Sequence, residues 1–435
     1  MSQYPELTAA QLKEESGRLK KEYKAIAAKG MKLDLSRGKP DHTQLEISNG
    51  LLNALTDTAA IFAEDGTDCG NYGMLEGIPE ARRLMAGMLD VNPDEVFVGG
   101  NSSLNMMHDC LGIAYLHGLP SSPAPWCKLP RVKWLCPAPG YDRHFMVTEH
   151  YGIEMIMVPM TPTGPDMDLV EELVAADSAI KGMWCIPKYS NPTGVTYSPE
   201  TVRRLAALRP AAPDFLIFWD NAYAVHDLHP DEPDELISLT DCLREAGNPN
   251  MALLFTSTSK VTFPGSGIAA MAASKENLSY FLRHFSFQTI SYDKLNQLRH
   301  ARFFGDIGGM RRHMRSHAGF LAPKFQVVLD TLQKQLGGLG VAEWNTPRGG
   351  YFISLNTLEG CAKRTVELCK AAGVTLTPAG ATFPYGADPL DRNIRIAPTY
   401  ATPEDARTAA ELLGLCIKLA SAEKLLGRCV RSRAS

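Results

Sequence analysis

The chain has 10 cysteines in 435 residues but no CxxC pair and no Cys/His cluster at zinc-finger spacing, so no metal site or disulfide scaffold is expected. Long hydrophobic runs are missing too. MALLFTSTS (251–259) and FLIFW (215–219) fall far short of the roughly 20 residues that cross a membrane. The first thirty residues are polar and charged, with no apolar core like that of a secretory signal, and a reducing cytoplasm is the expected location. Charge of one sign is also absent. Forty-four Lys and Arg stand against 48 Asp and Glu, a net of −4, which argues against a dedicated binder of nucleic acid or anionic membrane. There is no internal repeat or low-complexity segment, and 36 Gly with 29 Pro are too few for a collagen-like chain. The partners expected are small molecules and further copies of the chain.

The remaining 45% of hydrophobic residues is ample for a large core, and the length suggests two or three domains. Thr8 and Gln11 have the spacing of a capping box and Gly30 stands where a helix stops, predicting a charged outer helix over 9–29. KLDLSRGKPD (32–41) reads as a short strand followed by a loop. From about 52 to 310, helix-length segments alternate with EVFVGG (95–100), RVKWLCP (131–137), EMIMVP (154–159), GMWCIP (182–187), DFLIFWD (214–220) and MALLFTST (251–258). Such runs, buried on both faces, are what a parallel sheet covered by helices requires. After 311 a long helix, strand-like YFISLN and NIRIAP, and a last helix started by Thr402 and Pro403 describe a smaller α+β unit. The division expected is one large domain over 52–310 and a small one formed by 1–51 and 311–435.

Several of the apolar runs end directly in polar clusters: GGNSS, CPAPGYD, PKYSNPTG, WDNAY and STSK. Ligands of open α/β sheets bind at the carboxyl ends of strands, so the clusters point to one shared site. Lys260, flanked by Ser257 and Ser259 and followed by Gly265 and Gly267, lies where a desolvated amine can form a Schiff base; a plain surface lysine is the alternative. Asp220 ends a buried run and needs a cationic partner, either Arg, Lys or a protonated pyridine ring, unless it merely caps the next helix. Tyr223 can present its hydroxyl to the same ligand. SNPTG is a forced turn that exposes the Asn191 amide. The backbone of GGNSSLN (99–105) with the hydroxyls of Ser102 and Ser103 can cradle a phosphate or form an ordinary N-cap. Tyr141 offers a flat ring for stacking. Together these are the needs of pyridoxal 5′-phosphate, a cofactor that serves as electron sink while the protein orients it.

With those residues in place, the sequence resembles the fold-type I pyridoxal-phosphate aminotransferases of class I/II, from LSRGKPD at 35 to NIRIAP at 393. SRGKPD, PKYSNPTG and QTISYDKLNQLRHARFF are similar to the type Ic aspartate aminotransferase subgroup. The resemblance implies the α/β PLP-transferase fold, with a mostly parallel seven-stranded sheet in the large domain. It implies that Lys260 holds the cofactor as a Schiff base and shuttles the substrate proton. Asp220 would pair with the pyridine nitrogen, Asn191 and Tyr223 with the phenolic oxygen, and Tyr141 would stack on the ring. Ser102, Ser103, Ser257 and Ser259 would surround the phosphate. Tyr72, in NYGMLEGIPEAR, matches a tyrosine that reaches the phosphate of a neighbouring subunit, which implies a homodimer with shared active sites. Arg395 matches the clamp for the substrate α-carboxylate, and Gly38 a glycine beside bound substrate. One departure is Ile268, where many relatives carry a phosphate-binding arginine. GSG (265–267), with the Ser266 hydroxyl, is the expected replacement.

The reaction so implied is a ping-pong transfer of an amino group, with aspartate and 2-oxoglutarate as the expected pair. Alanine or aromatic amino acids, or a C–S/β-lyase reaction on the same fold, are the alternatives. For a second substrate carboxylate Arg37 is the first candidate, with Lys39, Arg143 and Lys294 behind it. A regulator with an added DNA-binding module is disfavoured, because the residues before 31 hold only one helix.

Overall fold

The computed structural model describes residues 3–56 and 61–431, with side chains described to residue 427. Its centre is one sheet with the spatial order 96–98, 269–273, 252–257, 216–220, 180–185, 133–138, 154–161 and 164–165. The four pairings that join 252–257 through 216–220, 180–185 and 133–138 to 154–161 are all parallel. Antiparallel strands close each end. Seven strands follow the expected plan, and the two-residue strand Gly164–Pro165 adds an eighth at one edge.

Side chains along each central strand alternate between two cores. Ile217 and Leu254 join one cluster with Leu84, Met85 and Val202. Phe218 and Phe255 join the other, with Trp134, Trp184 and Met107. Each fully buried side chain of this size contributes about 1.5–3 kcal/mol, which is why the runs carry so few polar residues. The strand at 154–161 departs from that expectation, since Met157 is 39% exposed. Its outer neighbour pairs only with Met160 and Thr161, so the rest of this strand lies at an open edge of the sheet.

A third cluster draws on both ends of the chain, from Leu12 and Leu19 through Val328, Leu332, Ile353 and Leu355 to Leu413 and Ile417. The N-terminal helix, Ala9–Ala27, has the expected capping box. It is not merely a solvated outer helix, for Leu12, Ser16 and Leu19, spaced four and three residues apart, bury one edge. Strands Ile353–Thr357 and Asn393–Ile396 pair antiparallel, and Leu33–Asp34 pairs parallel with Val374–Thr375. The long helix runs Ile307–Leu336 and starts earlier than its apolar pattern suggests, because Asp306 caps Gly309 N–H ahead of two glycines.

Candidate active site

The carboxyl ends of strands 133–138, 180–185, 216–220 and 252–257 open into a cavity of about 700 Å³. Asp220, the last residue of its strand, lies at the bottom and is 3% exposed. Its Oδ2 is 2.9 Å from His144 Nε2, and the imidazole stacks on Trp184 with ring centroids 4.3 Å apart. Oδ1 is also buried and has no hydrogen-bond partner among the described residues. A carboxylate oxygen kept from water costs free energy unless something donates to it. The geometry therefore calls for an N–H donor inside the cavity.

Lys260 follows strand 252–257 in a turn closed by hydrogen bonds from Val261 and Thr262 N–H to Thr258 O. Tyr351 braces this turn from behind, donating to Lys260 O at 3.2 Å while accepting from Gln44 Nε2 at 2.8 Å. The amine lies over the Tyr223 ring, 5.2 Å from its centroid. Burial pushes its pKa below the ordinary lysine value, against the pull of the Asp220 charge. Tyr223 is buried, and desolvation raises its hydroxyl well above the usual range, so it remains a donor. Tyr141 is pushed up to about 12 by burial and then by Asp220, and its ring meets His144 edge-on at 5.0 Å.

At the other end, helix Ser103–His117 starts at the cavity with Ser102 as its N-cap, Oγ accepting from Asn105 N–H at 3.4 Å. The cap and the anion-cradle readings thus apply to one residue. Ser257 Oγ donates to Ser259 Oγ, which donates to Asn101 O at 3.0 Å, and both serines line the cavity with Ser102 and Ser103.

Asn191 sits in a turn closed by Gly194 N–H to Ser190 O at 2.7 Å. Its Oδ1 accepts from Arg395 Nη1 at 3.3 Å. Arg395, 8% exposed on strand Asn393–Ile396, also donates from Nη1 to Asp142 Oδ1 at 2.9 Å and from Nε to Thr377 Oγ1 at 3.3 Å. Its guanidinium carbon stands 4.8 Å from the centre of the Phe352 ring. Gly38 allows this stack, since a Cβ there would come within 2.4 Å of Phe352 Cζ.

Not every expected residue reaches the cavity. Ser266 is exposed and absent from its walls, and its N–H is engaged by Phe263 O. Ile268 is a core residue, 1% exposed. Tyr72 is 78% exposed outside the cavity. Among the four cations, Arg37 and Arg143 line the walls. Lys39 lies over the Tyr400 ring instead, 3.8 Å from its centroid. Lys294 does not reach the site: it is 2% exposed and donates to Asn71 O at 2.5 Å and Gly73 O at 2.9 Å, pinning the backbone on both sides of Tyr72.

The structure adds His144, Asp142, Phe352 and Thr377. The first two follow Tyr141 in PAPGYDRHF, at one helix start, a signal that was present. Phe352 and Thr377 have no local signature, because strand pairing and a distant loop bring them in. Among the described residues no cluster of His, Cys, Asp and Glu can hold a metal, and no helix is long and apolar enough to cross a membrane.

Sheet topology and site together define an α/β enzyme of the transaminase class. The family model for aspartate aminotransferases matches residues 7–429. The chain is 47% identical over 405 residues to an aspartate aminotransferase of Corynebacterium glutamicum, covering 93% of each. A solved structure of an aspartate transaminase from Corynebacterium glutamicum superposes with a TM-score of 0.95 at 45% identity, covering 97% of this chain and 99% of that one. Identity to a 2-aminoadipate transaminase of Thermus thermophilus is 25% over 366 residues, 83% of this chain and 84% of that one. The chain belongs to the aspartate aminotransferase family and is an aminotransferase.

Proposed function

We propose that this aminotransferase uses pyridoxal 5′-phosphate to move the amino group of L-aspartate to 2-oxoglutarate by a ping-pong scheme. The observation that carries the cofactor is Asp220 Oδ1, a buried carboxylate oxygen with no partner among the described residues, on a residue that lines the same cavity as Lys260. A protonated pyridine nitrogen is the donor that satisfies it. When bound, the cofactor supplies the electron sink that lets a Cα–H bond break.

The chain's own groups do the rest. Lys260 carries the cofactor, and burial, which lowers its pKa, favours the neutral form that takes the Cα proton and returns it. Asn191 and Tyr223 donate to the phenolic oxygen, while Tyr141 stacks on the ring. Ser102, Ser103, Ser257 and Ser259, with the N-terminus of helix Ser103–His117, hold the phosphate. Arg395 binds the α-carboxylate through its planar fork, with Gly38 close by. Arg37 reads the second carboxylate, lining the cavity with an exposed guanidinium. The aspartate preference rests on the family and on the names its relatives carry.

Tyr72, exposed between the Asn71 and Gly73 carbonyls that Lys294 holds, is assigned to the phosphate of a second copy in a homodimer. The two-domain division, 52–310 against both termini, is part of the same reading, supported by the third core cluster drawing on both chain ends.

The test is the absorption spectrum of the purified protein with pyridoxal phosphate, before and after L-aspartate without an oxo acid, and again after 2-oxoglutarate. A yellow band that bleaches with aspartate and returns with 2-oxoglutarate is expected. A yellow protein indifferent to aspartate rejects the substrate and directs attention to alanine, aromatic donors and lyase products. A protein that stays colourless rejects the cofactor.

A further inference from the structure

Arg395 already holds a carboxylate. Asp142 Oδ1 accepts from its Nη1 at 2.9 Å, on the face that opens into the cavity. Thr377 takes Nε, Asn191 shares Nη1, and Phe352 lies against the guanidinium plane. Nη2 has no partner among the described residues. A buried guanidinium needs a counter-charge, and Asp142 provides it.

The two partners differ in freedom. Arg395 is sealed at 8% side-chain exposure, whereas Asp142 is 26% exposed and lies in the first turn of helix Asp142–His150. An aspartate at that position keeps a favourable interaction with the helix N-terminus after it lets go. A second carboxylate on the same fork would face the charge of the first within a few ångströms, and like charges so placed repel.

We infer that Asp142 is a resident counter-ion of Arg395 that an arriving substrate carboxylate displaces, making it a positioning residue that sets substrate affinity. The inference rests on Arg395 being the carboxylate clamp. Asp142 stabilises the empty clamp, so it weakens amino acid and oxo acid alike; it is not specific for one substrate. The exchange breaks one charge-assisted hydrogen bond and forms another, with no proton or covalent bond moved.

Calorimetric titration of the holoenzyme with succinate, a dicarboxylate that cannot react, tests this without turnover. Asp142→Asn keeps the shape and removes the charge, and succinate should bind about three- to tenfold more tightly than to the wild type. Asp142→Glu should return the affinity most of the way. In steady state, KM for amino donor and oxo acid should fall by similar factors in Asp142→Asn, by more than any accompanying change in kcat. Weaker or unchanged succinate binding in Asp142→Asn, with Arg395→Met binding poorly, overturns the counter-ion role and leaves the clamp intact. Succinate binding to Arg395→Met as tight as to the wild type removes the clamp, and this inference with it.

Discussion

His144 Nε2 stands 2.9 Å from Asp220 Oδ2, with both side chains sealed from solvent and the other carboxylate oxygen left without a partner among the described residues. The two oxygens therefore face different tasks. One is fixed by the imidazole, whose ring is itself held flat against Trp184; the other is buried with its hydrogen-bonding capacity unused. His144→Phe keeps the stacking and removes the hydrogen bond, leaving a second buried oxygen unsatisfied at a cost of about 1–3 kcal/mol. Chemical denaturation should show that loss. Turnover should fall roughly tenfold, as about 1.4 kcal/mol of carboxylate positioning disappears. An unchanged denaturation midpoint would show that the imidazole carries no such load.

Arg395→Lys keeps the positive charge but not the fork. Asp142, Asn191 and Thr377 all lose geometry fitted to the guanidinium, and disrupting a hydrogen-bonded charge of this kind costs about 2–5 kcal/mol. We expect kcat/KM for every amino donor to drop roughly a hundredfold or more, read from initial rates with donors of different side chains. A loss confined to aspartate would place Arg395 at the side-chain end of the substrate instead.

Much of the fold is legible in the sequence. The buried strands announce themselves because the sheet is covered on both sides, so Leu216–Asp220 and Ala252–Ser257 contain hardly a polar residue until the site begins. Lys260, Asp220, Tyr223 and Asn191 stand out because polar groups at such strand ends are costly without a purpose. Lys294 misleads for the converse reason: its sequence looks like a surface charge, yet two backbone carbonyls bury it. Phe352 and Thr377 were invisible because only the tertiary fold brings them to Arg395. Ser266 lies exposed outside the cavity lining, in a turn where its N–H is engaged by Phe263 O.

At the opposite end of the central strand, Asp214 accepts from Lys181 Nζ at 2.6 Å, Ser122 Oγ at 2.6 Å and Trp126 Nε1 at 2.8 Å. Lys181 is 3% and Asp214 1% exposed. Asp214→Ala strands a buried ammonium and two further donors, so stability should fall by about 3–5 kcal/mol. Since the site lies at the carboxyl ends of the strands, activity per folded molecule should persist. Denaturation and rate assays at low temperature separate the two. A stable variant would mean that water replaces the carboxylate.

Lys260 gives a prediction with a definite sign in pH. Its folded pKa lies below the ordinary value of 10.5 because burial penalises the charged form, so between the two values the unfolded chain binds more protons than the folded one. Stability must then rise with pH across that window. Above about pH 10.4 the amine is neutral in both states and the penalty is gone; as pH falls through the folded pKa, the full cost of burying the ammonium returns. Lys260→Met removes the charge and keeps most of the volume, so the cofactor-free variant should be more stable than the cofactor-free wild type at pH 7. That advantage should shrink as pH approaches 10.5. Thermal unfolding of both proteins without cofactor from pH 7 to 10.5 checks it, because two parallel curves would show that Lys260 is not desolvated. Turnover should vanish in the variant at every pH, since Lys260 is the amine that lies over the Tyr223 ring beside Asp220.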